Sequence, residues 1–576
     1  MRMTRPGLAA LACLLGVSAA AQPASQPGSQ PASQPASQPA SRPLVERPGD
    51  WGAYLAGRAA GQKLDTPAAV EYMARALAAD PESAELVGRT MLAALADGRD
   101  LQAVLLARRQ AARNEASLMA GLILLAEDAK NARFDDVARR AASLPRQSAG
   151  PILGPVLAAW AAAGEGDPAR GFEMLQALAD GERLKGFYAI SAALLADRAG
   201  KREEATRLFA VAREAPLPGL VVVRVAQMIA ARGDAAEATR LETALSEGAD
   251  DSGLLQGRLA AGVPVVPDAA AGMAETLFAL GAIVRAQDSG EFALLLARLA
   301  LLIRPDHAAA LMLVADVLDA DDRHDVAAAA MARVPETDPL SPLARLRAAL
   351  LLERAGKTEE SLAALHRLAD AYPDRPQPWA RMGDVLRGRK RFAEAADAYG
   401  KALDRIARPL PARAWAVLYA RGMSLERSQQ WREAEADFVA ALELSPEQPY
   451  VLNYLAYTWV DRGEHLDRGK AMLERAVELA PNDGHIVDSL GWALYRLGDF
   501  AGAVKQLERA VELEPADAVL NDHLGDAYWR VGRRAEARFQ WQRALSSKPE
   551  PEDAAKIEAK LRDGLPDEPR TPAAQR

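Results

Sequence analysis

The sequence predicts an all-α protein, a right-handed solenoid of about fourteen helical pairs, and three observations support this prediction. Alanine and leucine dominate the apolar half of the composition and aromatic residues make up only 5%, which favours helix over sheet. A proline recurs every 34 or 35 residues along two stretches of the chain. Small and large apolar residues hold fixed positions inside these periods.

The proline period covers residues 305–549 of a chain of 576 residues, which is too long for one hydrophobic core. The interval of 73 residues between Pro373 and Pro446 fits two periods with a short insertion, which we place at 404–413. A unit of this length has room for two short helices that cannot bury their apolar faces alone, so neighbouring units must stack. The prolines that define the period are Pro305, Pro339, Pro373, Pro446, Pro481, Pro515 and Pro549.

The residues inside each period agree with its phase. Small residues at positions 8, 20 and 27 allow the two helices to approach closely, and larger residues at positions 7, 11 and 24 fill the remaining space. The units that begin at Pro376 and Gly484 follow the same pattern. In the unit that begins at Ala518 these positions hold Leu524, Gly525, Tyr528, Ala537, Trp541 and Ala544.

This signature resembles the tetratricopeptide repeat (TPR) over about 500 residues. The segments 444–498 and 520–545 are more specific and look like exported TPR proteins of Gram-negative bacteria. Some members of that group are outer-membrane lipoproteins that act as scaffolds or adaptors for periplasmic proteolysis and envelope assembly. The resemblance therefore implies a protein partner, for example a periplasmic protease or an envelope assembly factor.

The first 21 residues predict a secretory signal, with Arg2 and Arg5 before a short apolar stretch and small residues at 19–21. We therefore expect a periplasmic or exported protein, with association with the outer membrane as an open alternative. Cys13, the only cysteine, lies inside this signal, so the mature chain has no disulfide. A lipoprotein in which Cys13 is acylated is the less favoured alternative, because the residues before it match a lipobox poorly. Membrane contact is expected only through such a lipid or through a partner.

The rest of the chain consists of segments that differ in composition. Gln-Pro-Ala-Ser repeats almost without variation after the signal, which leaves little to bury and predicts a disordered tether. Between 84 and 248 the signature weakens, and we expect five degenerate units there. The predicted order is a signal peptide at 1–21, a tether at 22–49, a degenerate N-terminal array at 50–251, an irregular joint or docking segment at 252–273, a C-terminal array at 274–551, and a short capping helix with a disordered tail at 552–576.

Charge and motifs exclude several function classes. The formal net charge is −8 with no long basic run, so we expect no nucleic acid partner. The six histidines are not spaced as metal ligands. Gly356-Lys357-Thr358 resembles part of a phosphate loop, but Leu351 stands where that motif needs its first glycine. We expect neither enzyme activity nor a cofactor or metal.

The TPR resemblance implies a concave groove lined by positions 2, 5, 9, 12 and 13 of the first helix in each pair. In the last four units aromatic, basic and acidic residues occupy these positions, and tryptophan, tyrosine and arginine are common binding hot spots. We assign the three rings at 492, 495 and 529 to the groove and not to the core. The alternative for the arginines is that they complement the helix dipole. The predicted groove residues are Tyr419, Met423, Arg427, Tyr454, Arg462, Asp488, Trp492, Tyr495, Arg496, Asp526, Trp529 and Arg530.

These observations predict a non-enzymatic scaffold or adaptor of the bacterial envelope that holds a partner protein or peptide in the concave groove. The alternative is a structural envelope protein whose tether engages cell wall or membrane, with the repeats as a spacer.

Overall fold

The computed structural model describes residues 50–566, except 114–116, 147, 183, 235, 237–238, 241–249, 256 and 259–264. Within this part the chain forms 28 α-helices, two short 3-10 helices and no strand, which confirms the all-α prediction. The predicted signal peptide, the tether and the end of the tail lie outside the described residues.

The chain divides into two compact units, and the first ends at Tyr372. Seventeen of the described helices belong to this unit 1. They are α1 Trp51–Gln62, α2 Thr66–Ala79, α3 Ala84–Asp97, α4 Asp100–Ala112, α5 Leu118–Lys130, α6 Phe134–Ser143, α7 Gly150–Gly164, α8 Pro168–Asp180, α9 Lys185–Arg198, α10 Arg202–Glu214, α11 Gly219–Ala231, α12 Ala269–Arg285, α13 Gly290–Ile303, α14 Ala308–Ala320, α15 His324–Ala332, α16 Ser341–Arg354 and α17 Thr358–Ala371.

Unit 2 begins at Pro373 and contains the other eleven described helices. They are α18 Gln377–Gly388, α19 Phe392–Leu403, α20 Trp415–Arg427, α21 Trp431–Leu444, α22 Pro449–Arg462, α23 Leu466–Leu479, α24 Gly484–Arg496, α25 Phe500–Leu513, α26 Ala518–Arg530, α27 Arg534–Ser546 and α28 Pro551–Asp563.

Each helical pair turns through a residue with positive φ, which is position 15 of its repeat. Fourteen such turns occur in the described residues, mostly 33 to 35 residues apart. The interval from Lys390 to Gln429 is 39 residues and contains the predicted insertion at 404–413. Thirteen turns join two described helices, and the one at Gly233 follows α11. The turn residues are Leu64, Gly98, Ala132, Gly166, Gly200, Gly233, Asp288, Asp322, Gly356, Lys390, Gln429, Gly463, Gly498 and Gly532.

Close packing inside each pair explains the small residue at position 8. A Cβ atom added at Gly491 would lie 2.6 Å from Cγ of Leu507, and one added at Gly525 would lie 2.5 Å from Cδ1 of Trp541. Both partners are position 24 of the same repeat and are fully buried. The packing positions predicted from the sequence are therefore the ones that hold the two helices of a pair together.

Unit 1 departs from a simple array because α12 and α13 fold back on it. Helix α12 packs against α5, α7, α9 and α11, and α13 packs against α3 and α5. All of these are first helices of their pairs, so we call the surface that they form the first-helix face of unit 1. Fifteen of the 17 residues of α12 are buried. The apolar hairpin α12–α13 thus covers the first-helix face between residues 84 and 231.

Buried polar contacts secure this hairpin. Arg224 of α11 donates to Glu275 of α12 at 2.7 Å, and His307 lies 3.0 Å from the same carboxylate. Burial alone would raise the pKa of Glu275, but Arg224 and His307 hold that pKa below its usual range. Arg298 of α13 donates to the carbonyl oxygen of Ala96 at 2.9 Å. The buried Arg224–Glu275 pair thus links α11 to α12 inside an apolar interface.

The predicted joint at 252–273 lies within unit 1, because the two compact units divide between residues 372 and 373. Its described part contains most of a 3-10 helix, Asp250–Leu255, and the start of α12. Leu254 and Leu255 are buried. The segment therefore leads the chain into the hairpin α12–α13, which covers the first-helix face.

Candidate functional site

The predicted groove residues all belong to unit 2, on the first helices α20, α22, α24 and α26. Their register is given by the turn residues, and Gly463 places the start of the α22 unit at Pro449. Tyr454 and Arg462 are therefore at positions 6 and 14, which corrects our prediction by one residue. Positions 9 and 13 of this helix are Tyr457 and Asp461.

Tyr454 belongs to an aromatic cluster that ties α20, α21 and α22 together. Its ring lies 5.3 Å from that of Phe438 and 5.9 Å from that of Tyr419, between ring centroids. Its hydroxyl donates to Oε2 of Glu426 at 3.1 Å. Burial raises the pKa of Tyr419 to about 12. Tyr454 thus packs between helices, and Tyr419 of the same cluster and Met423 are half-buried like it, at positions 5 and 9.

Tyr457 is the groove residue that our register missed. Its side chain is half-buried, and burial, together with the carboxylates of Asp461 and Asp488, raises its pKa to about 12. One turn earlier on α22, Asn453 has a buried Oδ1 that accepts no hydrogen bond from the described residues. The interval of 35 residues from Pro446 to Pro481 was the sequence signal that would have identified Tyr457.

A stack of rings joins α24 to α26. The ring of Trp492 lies 4.8 Å from that of Tyr495 and 4.0 Å from that of His523, with interplanar angles of 6° and 16°. Nδ1 of His523 is 3.0 Å from both carboxylate oxygens of Asp488. Burial lowers the pKa of His523, but the Asp488 carboxylate outweighs it and raises the pKa.

Asp488 and Tyr495 are buried, with exposed fractions of 5% and 9%. Our assignment of the Tyr495 ring to the groove is therefore wrong, because this ring is part of the core between α24, α25 and α26. Trp492 is half-buried against the same core and keeps one part accessible.

The chain's own C-terminal helix covers the last repeat. Nζ of Lys560 on α28 lies 2.8 Å from Oδ2 of Asp526 and 2.7 Å from Oδ2 of Asp522. Asp526, which is 4% exposed, also accepts a hydrogen bond from Nε1 of Trp541 at 2.9 Å. The ring of Trp529 lies directly against Gly564. Asp526 is therefore buried among intramolecular contacts, and Trp529, which is half-buried, packs against the C-terminal segment.

The four predicted arginines contact neighbouring helices, a role beyond complementing the helix dipole. Nη1 of Arg496 is 2.6 Å from Oδ1 of Asp461, and Nε of Arg530 donates to the hydroxyl of Tyr495 at 3.1 Å. The guanidinium groups of Arg427 and Arg462 lie over rings of second helices, each 5.1 Å from the centroid, namely those of Phe392 and Trp431. These contacts connect successive repeats.

An accessible surface remains on α20, α22 and α24, and we call it the open groove. It combines side chains at positions 5 and 9 that are half-buried and lie on consecutive first helices. Exposed Arg427, Asp461 and Arg496 border it. Its members are Tyr419, Met423, Asn453, Tyr457 and Trp492.

Within the described ranges, the structure holds no helix long and apolar enough to cross a membrane. In the same ranges no three histidine, cysteine, aspartate or glutamate side chains are grouped so that they could hold a metal ion.

Family models match three segments of the chain. A model described as TPR repeat matches residues 491–532, and one described as tetratricopeptide repeat matches 346–412 and 419–484. A TPR repeat-containing protein of Pseudomonas aeruginosa is 28% identical over 161 residues, which are 28% of this chain and 26% of that protein. The chain thus matches about a quarter of the length of this relative.

Two solved structures are among those to which the chain is similar. A tetratricopeptide repeat protein from Parabacteroides merdae has a TM-score of 0.36 at 18% identity, covering 44% of this chain and 96% of that one. The Cut9–Hcn1 hetero-tetramer of the APC/C has a TM-score of 0.37 at 13% identity, covering 91% and 97%. The family matches, the 34-residue helical pairs and their shared turn position together show that the chain contains tetratricopeptide repeats, matched between residues 346 and 532.

Proposed function

We propose that the protein is a non-enzymatic scaffold that binds a segment of a partner protein in the open groove of unit 2. Tetratricopeptide repeats generally serve as protein-interaction scaffolds. The observation that carries the proposal is a contrast between the two units. The first-helix face of unit 1 is covered by α12–α13, whereas α20, α22 and α24 of unit 2 present half-buried aromatic side chains.

The covered face of unit 1 is unsuited to partner binding. Displacing the hairpin would expose the apolar residues of α12 and separate the buried Arg224, Glu275 and His307. Separating a buried ion pair costs several kcal/mol, which a partner segment would have to replace. The degenerate units of unit 1 are therefore a less favourable place for a partner site than the open groove.

The open groove has the chemistry of a peptide-binding surface. Tyr457 and Trp492 offer large, rigid rings that lose little conformational entropy on binding. The bordering Arg496 and Asp461 are already paired with each other, so the groove selects by shape and hydrogen bonding more than by net charge.

We further propose that the protein acts in the bacterial envelope. The support is the predicted signal at 1–21 and the tether at 22–49. A periplasmic protease or an envelope assembly factor would then be a suitable partner. The structural alternative, in which the tether engages wall or membrane, makes the groove dispensable.

A capture experiment from an envelope fraction of the source cells tests the proposal. We expect the wild-type chain and a Tyr72→Ala control to retain one defined partner, and Tyr457→Ala to lose it. Tyr72 is an exposed tyrosine of α2 in unit 1 and matches the chemical change. Equal capture by Tyr457→Ala would reject the groove as the site. Cosedimentation with wall or membrane that is independent of Tyr457 would favour the structural alternative.

A further inference from the structure

We infer that the C-terminal helix α28 is an autoinhibitory cap, which closes the end of the open groove on α26 and detaches as a separate element when a partner binds. The inference rests on the proposed function of the open groove as a partner-binding surface and adds its regulation.

Helix α26 continues the row of first helices that carries the open groove. It packs against α24, and its positions 5 and 9 are Asp522 and Asp526. Side chains at these positions form the open groove on α20, α22 and α24. On α26 they lie against α28, whose Lys560 is paired with both carboxylates. Helix α28 therefore removes one repeat from the surface that a partner can reach.

Few apolar contacts anchor α28 to the repeats. Among the described residues of this helix Ile557 alone is buried, and Leu561 and Leu565 are half-buried against the same core. Helix α26 in contrast has seven buried residues. Positions 7 and 11, which hold large apolar residues in a complete pair, are Glu558 and Arg562 in α28. An element with so little buried apolar surface opens at a lower free energy than the rest of its unit.

Charged and polar contacts hold the cap in place. The side chain of Lys560 is 18% exposed; burial lowers its pKa, but the carboxylates of Asp526 and Asp522 outweigh this effect and raise the pKa. Nη1 of Arg538 on α27 donates to the carbonyl oxygen of Leu561 at 2.8 Å. A partner that presents a lysine or arginine to the two carboxylates would replace the contacts of Lys560.

Residues 547–550 connect α27 to α28 and are the hinge of the cap. They lie between the two helices, and Lys548 among them has a φ of 56°. Hinges are short loops that absorb changes in φ and ψ while the elements on either side stay folded. Helix α28 can therefore leave α26 without unfolding α27.

Hydrogen exchange of the full chain tests whether α28 opens separately. We expect amides of α28 to exchange at least about a hundredfold faster than those of α26, because a local opening exposes the cap alone. Equal rates along both helices would mean that they unfold as one element, and would overturn the inference.

Two lysine variants show whether the contact with α26 controls this opening. Lys560→Met should increase exchange along α28 at least about tenfold, because Asp526 stays buried under the closed cap without its counter-charge. Lys556→Met is the matched control in the same helix, where the lysine is exposed and pairs with Asp553 of α28. It should change exchange less than about twofold.

A second variant covers a loss of folding. If Lys560→Met lowers the helical signal in circular dichroism, Asp522→Asn replaces it, since Asp522 is only half-buried. This variant should increase exchange along α28 about threefold through the weakened contact with Lys560.

A peptide added in trans tests whether α28 behaves as a ligand of α26. A labelled synthetic peptide of residues 549–566, titrated by fluorescence anisotropy, should bind the Lys560→Met chain at least about tenfold more tightly than the wild-type chain. In the wild type the tethered helix competes at a high effective concentration. Adding Asp522→Asn to the Lys560→Met chain should weaken peptide binding at least about fivefold. Equal binding of the peptide to the wild-type and Lys560→Met chains would overturn the inference.

Partner capture connects the cap to the groove. At equal chain concentration, Lys560→Met should retain at least about threefold more of the partner captured by the wild type, because α26 then joins the accessible surface. Lys556→Met should retain as much as the wild type. If α28 opens in Lys560→Met and capture is unchanged, the cap does not control the groove and the inference is overturned.

The outcomes separate this inference from the proposed function. Hydrogen exchange and peptide binding involve neither Tyr457 nor the partner. If capture depends on Tyr457 while α28 exchanges together with α26, the groove remains the partner site and only the cap is rejected. If α28 opens and binds in trans while capture is independent of Tyr457, the proposed site fails and the detachment of α28 stands.

Discussion

Nη1 of Arg496 lies 2.6 Å from Oδ1 of Asp461, and the two residues occupy the same position, 13, in successive repeats. The same separation of 35 residues joins Arg354 to Asp319 in unit 1. A carboxylate and a guanidinium at the ends of adjacent first helices thus connect one repeat to the next. The sequence predicts Arg496 as a partner-binding residue, whereas the structure shows it paired with Asp461 of the same chain.

Arg496→Met should lower the free energy of unfolding of unit 2 by less than about 1 kcal/mol, because both members of the pair are exposed and solvent screens them. The loss should decrease further in high salt. Urea unfolding at low and high salt measures it. Lys505→Met on the exposed side of α25 is the control and should show no effect of salt on the difference. A loss of several kcal/mol at Arg496 would contradict this reading.

Gly491→Ala should destabilise unit 2 by roughly 1 to 3 kcal/mol, because the added Cβ would lie 2.6 Å from the Leu507 side chain. Gly388→Ala is the matched control, since that glycine ends α18 and a Cβ there meets nothing within 4 Å. Thermal unfolding of both variants provides the comparison. Equal melting temperatures would show that the two helices of this pair are not in close contact.

His523 should make the junction between α24 and α26 dependent on pH. Its folded-state pKa is raised, so its contribution to stability is fully present below its unfolded pKa of about 6.5 and is lost as the pH rises through the folded pKa. The difference in melting temperature between wild type and His523→Gln should therefore be largest in acid and should shrink in alkali.

Melting curves from pH 5.5 to 9 measure this difference. His485→Gln, at an exposed position of α24, is the control and should show a smaller dependence. If the difference in melting temperature grew with pH, the neutral form of His523 would stabilise the contact between α24 and α26, and not the cationic form beside Asp488.

Glu275→Gln should destabilise unit 1 by about 3 to 5 kcal/mol, because Arg224 would remain buried without a counter-charge. Hydrogen exchange should increase along α12 and α13. Glu204→Gln, in the exposed pair with Arg207, should change stability by less than about 1 kcal/mol. Exchange along α24 serves as the internal reference for unit 2. Unchanged hydrogen exchange along α12 would show that apolar packing alone holds the hairpin α12–α13 in place.

Much of the fold follows from local patterns in the sequence. The 34-residue period and the small residue at position 8 depend on contacts inside one repeat, and Gly491 and Gly525 take the predicted places. The position of Tyr457 in its repeat could also have been predicted, because Gly463 lies 35 residues before Gly498. Our error there came from carrying a constant period through a unit that is one residue longer.

The covered surfaces could not be predicted in the same way. Helix α12 is apolar on every side, which predicts burial but does not say against what. The contact of Lys560 with Asp522 and Asp526 likewise depends on where the C-terminal helix lies. Such contacts join residues that share no periodic relationship, so only the three-dimensional structure reveals them.

The contacts of the hairpin α12–α13 restrict how the number of repeats in unit 1 can change. In a linear array each repeat contacts only its neighbours, so repeats can be added or removed one at a time. Here Arg298 contacts the carbonyl of Ala96, 202 residues earlier, and this contact closes the intervening repeats into a loop of fixed length. Deleting one repeat between them would misplace every contact of the hairpin at once. Unit 1 should consequently fold slowly and as a whole, since such distant contacts delay folding, and its number of repeats cannot change without loss of the structure.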